Sequence, residues 1–270
     1  PAIKYAADNG AVICQNSWGY SSTSGVTAMP KLLKEAVDYF IKMAGCDANG
    51  QQRANSPMKG GVVVFAAGNE NKEFAAYPAC YAPVVSVSAM AWNFAKASFS
   101  NYAHWITIMA PGGDQDTFGT EGGILSTVPK SKVPSGYAYF QGTSMACPHV
   151  SGIAALIASY FGRQGFTNDE LKSRLITAYR PFNIDELNPA YKGKLGKGYI
   201  DAEAAFETDT KIAPEKVGTL TLTPDFVDIT AEWSIAKDED KTAAFYRLYI
   251  SPNDLTAENT KDISFKEING

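Results

Sequence analysis

The stretch "GGVVVFAAGNE", residues 60–70, decides the fold class. Its centre is continuously apolar, and it ends in a turn of small residues at Gly68 and Asn69. Continuous rather than alternating apolarity is typical of a central strand in a parallel sheet, because helices cover both faces of such a strand. The stretch therefore predicts a buried parallel strand that runs directly into a turn.

Similar apolar segments occur on both sides of this stretch. Three further strands are predicted, at "AVICQNS" (11–17), "APVVSVSAM" (82–90) and "HWITIMAPG" (104–112). Helical segments alternate with them. Strands alternating with helices favour an α/β domain with layers around a mostly parallel sheet.

Three segments carry the helix predictions. "PKLLKEAVDYFIKMAG" (30–45) is amphipathic. "SMACPHVSGIAALIASYF" (144–161) is apolar nearly all round, which predicts a buried helix. "TNDELKSRLITAY" (167–179) begins with a capping box from Thr167 to Glu170. On the amphipathic helix, the apolar face consists of Leu33, Val37, Phe40, Ile41 and Ala44.

The composition restricts the classes of partner. The 270 residues carry a formal charge of −4, which gives no electrostatic reason to expect nucleic acid or an anionic membrane. No apolar run approaches the length of a membrane span. Of four cysteines, Cys46 and Cys80 could pair, and Cys14 and Cys147 fit better as small buried side chains. No C-x-x-C spacing suggests zinc.

The pattern changes after about residue 210. Apolar and polar residues alternate there, as in antiparallel strands with one solvated face. We expect residues 211–270 to form a separate, partial β-rich module. Its opening, "APEKVGTLTLTPDFVDITAEWS" (213–234), resembles the first strands of a fibronectin type III-like domain. The alternating residues are Leu220, Leu222, Val227, Ile229, Ala231 and Trp233.

The segment "GTSMACPHVSG" (142–152) places Ser144 at the start of the predicted buried helix. Unpaired backbone N–H groups and the positive helix end favour negative charge near a serine in that position. Thr143 or Ser144 could equally be an ordinary helix cap. The sequence reads G-x-S-x-A and so departs from the G-x-S-x-G turn of α/β hydrolases.

Two other strand ends carry polar or small residues. Gly68 and Asn69 follow the strand predicted within residues 60–70. Glycine permits close approach of a substrate there, and the amide of Asn69 offers a hydrogen-bond donor. Ser17, Trp18 and Gly19 follow another strand and could pair with an extended peptide. Ordinary turn formation and an ordinary exit from a strand are the alternatives.

Together and in this order, three blocks resemble the subtilisin-like serine proteases (subtilases). They are "FQGTSMACPHVSG" (140–152), "VVVFAAGNE" (62–70) and "VICQNSWG" (12–19). The resemblance spans roughly residues 1–207. It implies a three-layer α/β fold, a polypeptide substrate and an exported, secreted or cell-surface protein.

The resemblance also implies a role for each site residue. Ser144 would attack the scissile carbonyl, and Asn69 and the backbone N–H of Ser144 would stabilise the oxyanion. The substrate would lie between one wall of Ser17, Trp18 and Gly19 and another of Ala66, Ala67 and Gly68, with Ala76 and Tyr77 near the base of the pocket for the residue before the cut. No charge occurs among these pocket residues, which favours medium apolar side chains. Calcium is possible by resemblance, but no carboxylate cluster identifies metal ligands.

The general base is not recognisable in the sequence. His149 lies five residues after Ser144 on one helix, so the two side chains point about 140° apart. His104 has no carboxylate placed by a motif beside it. In subtilases the chain order is Asp, His, Ser. We therefore expect the Asp and His blocks to precede residue 1, residues 1–210 to be the C-terminal portion of a catalytic domain that lacks its N-terminal part, and this portion to be inactive without its upstream partner.

Other classes of function remain open at this point. A peptide-binding scaffold without activity (a pseudo-protease) would be expected to have a degraded nucleophile block, and this block is intact. An esterase or lipase needs a histidine downstream of the serine, but none follows His149. An adhesion-like β module would need more than the roughly 60 C-terminal residues, since a β-sandwich has about 100.

Overall fold

The computed structural model describes residues 1–177, 179–180, 184–206, 221–224, 229–232, 245–249 and 265–269. By its internal contacts the chain divides into two compact units, Pro1–Phe206 and Glu207–Gly270.

The first unit is built on a six-stranded sheet of order β1-β2-β3-β4-β8-β7. Neighbouring strands are parallel, except that β7 is antiparallel to β8. The remaining strands, β5 and β6, form an antiparallel hairpin. The α/β class and the mostly parallel sheet predicted from the sequence are confirmed. In chain order the strands are β1 (Ile13–Asn16), β2 (Val62–Ala66), β3 (Val85–Met90), β4 (Ile108–Pro111), β5 (Ile124–Thr127), β6 (Tyr137–Phe140), β7 (Tyr179–Arg180) and β8 (Tyr199–Ile200).

Helices lie on both faces of this sheet. They are α1 (Ala2–Asp8), α2 (Lys31–Met43), α3 (Gln115–Phe118), α4 (Thr143–Phe161), α5 (Asn168–Thr177) and α6 (Ile184–Leu187). Alternate residues of β2 belong to different core clusters, because successive side chains of a strand point to opposite faces. Val62, Val64 and Ala66 pack in the cluster that contains α4 and α5, whereas Val63 and Phe65 pack in the cluster that contains α1 and α2. The domain therefore has three layers.

The capping box predicted for α5 and the buried face predicted for α2 are both confirmed. In α5 the Thr167 N–H donates to Glu170 Oε2 at 2.8 Å, and the Glu170 N–H donates to Thr167 Oγ1 at 3.2 Å, which completes the capping box. In α2, Val37 and Phe40 are fully buried against the sheet. All four cysteines are free thiols, so the pairing considered for Cys46 and Cys80 is not formed.

Helix α4 differs from its prediction, since only one of its faces is buried. Leu156 and Tyr160 on the outer face are 50% and 72% exposed. By length and composition alone α4 could cross a membrane. Its buried face, however, belongs to the same core cluster as β2, β3 and β4, as expected of the core helix of an α/β domain.

In the second unit, β9 (Thr221–Pro224) pairs antiparallel with β10 (Ile229–Glu232), and β11 (Phe245–Tyr249) pairs antiparallel with β12 (Phe265–Asn269). Leu222, Ile229 and Ala231 lie on β9 and β10, as the alternation predicts. The other three alternating residues, Leu220, Val227 and Trp233, lie outside the described residues.

Candidate active site

Ser144 occupies the second position of α4. The preceding Gly142 has φ 146° and ψ 157°, a backbone conformation that residues with a Cβ rarely adopt. This turn brings the chain out of β6 and starts the helix within three residues. Because the first N–H groups of a helix lack intrahelical acceptors, the backbone around Ser144 presents donors and a positive helix end.

The backbone after β1 packs directly against the start of α4. Ser17 Oγ donates to the carbonyl oxygen of Ser144 at 2.8 Å, and Ser144 Oγ donates to the carbonyl oxygen of Ser17 at 3.3 Å. Gln15 Nε2 in turn donates to Ser17 Oγ at 2.6 Å. These reciprocal bonds hold the Ser144 hydroxyl at the edge of the segment predicted to line the cleft.

The side-chain amide of Asn69 is oriented by Thr143. Asn69 Oδ1 accepts hydrogen bonds from both the backbone N–H and the Oγ1 hydroxyl of Thr143, each at 2.8 Å. Thr143 Oγ1 accepts in turn from the N–H of Gly68 at 3.1 Å. Because the amide oxygen is held by two donors, the Nδ2 group of Asn69 points away from Thr143.

The amide nitrogen of Asn69 and the backbone nitrogen of Ser144 converge. Each lies 3.5 Å from the position that a Cβ on Gly142 would occupy. A point midway between the two nitrogens is therefore no more than 3.5 Å from either. An oxygen atom at that point would lie within 3.5 Å of two nitrogens that carry N–H groups.

Two chain segments form the walls of this cleft. The indole Nε1 of Trp18 donates to Asn16 Oδ1 at 3.1 Å, and its ring packs edge-on against Phe65 with centroids 5.3 Å apart. The N–H of Tyr20 donates to the carbonyl oxygen of Tyr77 at 2.9 Å and joins the segment after β1 to the pocket segment. The segment after β1 is thus held against Phe65 of β2 and against Tyr77 of the pocket.

A single cavity of about 220 Å³ brings all the predicted site residues together. The sequence did not indicate four other residues that line it, Tyr20, Ser21, Glu70 and Thr143. The predicted residues in its lining are Ser17, Trp18, Gly19, Ala66, Ala67, Gly68, Asn69, Ala76, Tyr77 and Ser144.

Glu70 is a charged residue in the cavity lining that the prediction from the sequence did not include. Burial raises the pKa of its carboxyl, but hydrogen bonds from the Ser22 N–H at 2.7 Å and Asn101 Nδ2 at 3.2 Å outweigh this, and the pKa lies below its ordinary value. Glu70 is therefore an anion at neutral pH.

Both histidines form their hydrogen bonds away from Ser144. His149 is exposed, and its Nδ1 lies 2.8 Å from the carbonyl oxygen of Met145. His104 is also exposed, and its Nδ1 lies 3.2 Å from the carbonyl oxygen of Gly193. Since a carbonyl oxygen only accepts, each ring donates through Nδ1 to its own backbone partner. The prediction that neither histidine is bonded to Ser144 agrees with this geometry.

Among the described residues, no group of three or more His, Cys, Asp or Glu side chains is placed to hold a metal ion. The sequence likewise identified no calcium ligands.

Comparison with known proteins identifies the family. The sequence model of the Subtilase family matches residues 1–206. The chain belongs to the subtilase family. The subtilase resemblance inferred from the three blocks is therefore confirmed, together with the fold that it implied.

Individual subtilases are similar over parts of their length. The thermophilic serine proteinase of Bacillus sp. (strain AK1) is 37% identical over 174 residues, which cover 64% of this chain and 34% of that protein. The extracellular basic protease of Dichelobacter nodosus is 36% identical over 170 residues, 60% of this chain and 26% of that protein. A solved protease structure from Pseudoalteromonas arctica PAMC 21717 is 32% identical with a TM-score of 0.55, covering 75% of this chain and 56% of that one. The chain thus spans about a quarter to a third of the two curated relatives.

Proposed function

We propose that this chain supplies the nucleophile and the oxyanion donors of a serine endopeptidase. Ser144 is the nucleophile, and the side chain of Asn69 and the N–H of Ser144 stabilise the oxyanion. The observation that carries the proposal is that both nitrogens lie 3.5 Å from the same point beside Gly142, while Thr143 holds the oxygen of the Asn69 amide and leaves its nitrogen for a substrate. The general base and its orienting carboxylate come from residues outside this chain.

In the proposed reaction Ser144 Oγ attacks the scissile carbonyl carbon of a polypeptide. The hydroxyl proton passes to the external base, because an unassisted serine is a weak nucleophile at neutral pH. Among the described residues Ser144 Oγ donates one hydrogen bond, to the carbonyl oxygen of Ser17 at 3.3 Å, and a carbonyl cannot take its proton. Negative charge that develops on the substrate oxygen is met by the N–H of Ser144, the Nδ2 group of Asn69 and the positive end of α4.

The proposed substrate is an extended peptide between the segments after β1 and β2. Residues 17–19 and 66–68 both line the cavity, and extended peptides commonly bind to such segments through backbone pairing. Ala76 and Tyr77 lie at the proposed pocket for the residue before the cut. This pocket suits medium apolar side chains, and the Glu70 carboxylate at its edge adds tolerance of a basic one.

Two broader proposals accompany this function. Residues 1–210 act as part of the catalytic domain and residues 211–270 as a distinct β-rich module, which the division into two compact units supports. We also propose an extracytoplasmic location, supported by a relative whose name describes an extracellular protease.

The test compares four proteins on one peptide substrate. They are this chain, a longer chain that includes the upstream Asp and His blocks, and the longer chain with Ser144→Ala or Asn69→Ala. We expect the unaltered longer chain to cleave the peptide at full rate, and this chain and the Ser144→Ala variant to show no cleavage. In Asn69→Ala we expect kcat to fall by about 10²- to 10³-fold, which is the loss known for this donor in subtilisin itself. Efficient cleavage by this chain alone would place a base within it. Peptide binding without cleavage by the longer chain would favour the peptide-binding scaffold.

A further inference from the structure

A buried asparagine lies beneath the loop that carries Asn69. Asn101 is 0% exposed and follows β3 in the chain. We define the oxyanion loop as residues 67–72. Asn101 Oδ1 accepts from the N–H of Glu70 at 3.0 Å and of Lys72 at 3.2 Å. Its Nδ2 donates to the carbonyl oxygen of Ala67 at 3.0 Å and to Glu70 Oε2 at 3.2 Å.

The backbone of Asn101 makes a fifth bond to the same loop, because its N–H donates to the carbonyl oxygen of Gly68 at 3.0 Å. Every hydrogen bond of the Asn101 side chain therefore goes to the oxyanion loop. The two residues on either side of Asn69 in the chain, Gly68 and Glu70, are each bonded to Asn101.

We propose that Asn101 is a positioning residue for catalysis, which sets the position of the Asn69 amide by holding the backbone on both sides of it. This inference rests on the proposed role of Asn69 as an oxyanion donor. Asn101 does not contact the cleft itself and acts only through the loop.

The packing leaves the loop little freedom to compensate for a loss of Asn101. Gly68 has φ +101°, and the Nδ2 group of Asn101 occupies the space where a Cβ on Gly68 would lie. Farther along the loop, Asn71 has φ 50° and accepts a hydrogen bond from Lys96 Nζ at 2.9 Å. Both positions of positive φ in the loop, Gly68 and Asn71, therefore contact side chains from the segment 96–101.

Truncation of Asn101 removes the acceptor for two N–H groups and the donor for one carbonyl oxygen. Such buried groups must find new partners, and the loop has to shift for them to do so. A displacement of about 1 Å in a catalytic group costs up to roughly 10²-fold in rate. We therefore expect Asn101→Ala to lower kcat by about 10- to 10²-fold.

A double-mutant cycle in the full-length protease tests this. The four proteins are the unaltered protease, Asn69→Ala, Asn101→Ala and the double variant, with kcat measured at saturating substrate. If Asn101 acts through Asn69, the double variant has the kcat of Asn69→Ala within about three-fold, since removal of the amide makes its position irrelevant. If the two losses multiply, Asn101 has only a general structural role and the proposal is wrong.

Asn168→Ala is the matched control. Asn168 Nδ2 also bridges two backbone carbonyls, those of Ile41 at 3.0 Å and Gly61 at 3.1 Å, but it lies outside the cavity lining. We expect its loss to lower thermal stability without a change in kcat. An equal fall in kcat in Asn168→Ala would contradict a specific role for Asn101. If Asn101→Ala does not fold, Asn101→Ser takes its place in the double-mutant cycle, because serine retains a hydroxyl beneath the loop.

A spectroscopic measurement separates this inference from the proposed function. In this chain, labelled with ¹⁵N, the side-chain amide signals of Asn69 are identified by their loss in Asn69→Ala. Asn101→Ala should shift or broaden them, whereas Asn168→Ala should not. Unchanged Asn69 signals in Asn101→Ala would overturn the positioning role. An unchanged kcat in Asn69→Ala would instead overturn the proposed function.

Discussion

Replacement of Asp114 by alanine should destabilise the subtilase unit by about 2–4 kcal/mol. Asp114 is 3% exposed and caps the short helix α3. Its carboxylate accepts from the N–H of Ser98 at 2.7 Å and its Oγ at 2.9 Å, and from the N–H of Thr117 at 3.1 Å and its Oγ1 at 3.0 Å. The hydroxyls can rotate to other acceptors, whereas the two backbone N–H groups lose a charged acceptor. Because Ser98 and Thr117 are themselves exposed, water replaces part of each bond, and each loss costs about 1–2 kcal/mol, near the lower end for a hydrogen bond to a charged group.

The assay is urea unfolding followed by circular dichroism, with Asp116→Ala as the control. Asp116 lies on the same helix but is exposed, and among the described residues its carboxylate accepts a side-chain hydrogen bond from Gln141 Nε2 alone, at 2.8 Å. Its loss should therefore change the free energy of unfolding by no more than about 0.5 kcal/mol. An equal effect of the two substitutions would refute the reasoning from buried hydrogen bonds.

The free energy of unfolding that the Asp114 carboxylate contributes should also depend on pH. Burial raises the pKa of Asp114, but the bonds from Ser98 and Thr117 outweigh it and hold the pKa below its ordinary value. A carboxyl with a lowered folded-state pKa stabilises the fold above its unfolded-state pKa, and this contribution is lost as the pH falls through the folded-state value. The stability gap between the unaltered chain and Asp114→Asn should therefore be constant above about pH 5 and shrink below about pH 4. A gap that widens on acidification would contradict the assigned sign.

Two further predictions concern the cleft and the core. In the full-length protease, Glu70→Gln should lower the ratio of kcat/KM for substrates with lysine before the cut to that for substrates with leucine by about two- to five-fold, because a partly exposed ion pair contributes up to about 1 kcal/mol. An unchanged ratio in substrate profiling would mean that Glu70 does not face the substrate. Cys147 is fully buried, and burial raises the pKa of its thiol to about 11, so mass spectrometry should find it unalkylated by iodoacetamide at about pH 8 in the folded chain and alkylated in urea. Rapid alkylation of folded protein would show that α4 opens.

The features that the sequence predicted well are those set by neighbouring residues. The apolar run of β2, the capping box at Thr167 and the buried face of α2 each depend on residues within one turn or one strand. Such signals need no knowledge of the tertiary structure.

The partners of Asn69 could not be predicted in that way. Thr143, which orients its amide, is 74 residues away, and Asn101 lies 31 residues from Glu70, whose N–H it accepts. Each of these side chains is polar and sits in a stretch that reads equally well as a cap or a turn. Only the fold brings them into contact, and the same holds for Glu70, whose place in the pocket follows from bonds to Ser22 and Asn101.

Helix α4 links the predicted and the unpredicted parts of the site. Its apolar composition shows how much surface can be buried, but not which face has a neighbour, so the prediction of burial all round was wrong at Leu156 and Tyr160. The buried face is instead rich in small side chains, Ala146, Ala154 and Ala158 among them, which let the helix approach the sheet closely. That close approach brings the first turn of α4 to the carboxyl ends of β1 and β2, where Ser17 bonds to Ser144 and Asn69 bonds to Thr143. The same small residues that make the helix look uniformly apolar in sequence therefore place Ser144 beside Asn69, its proposed oxyanion donor.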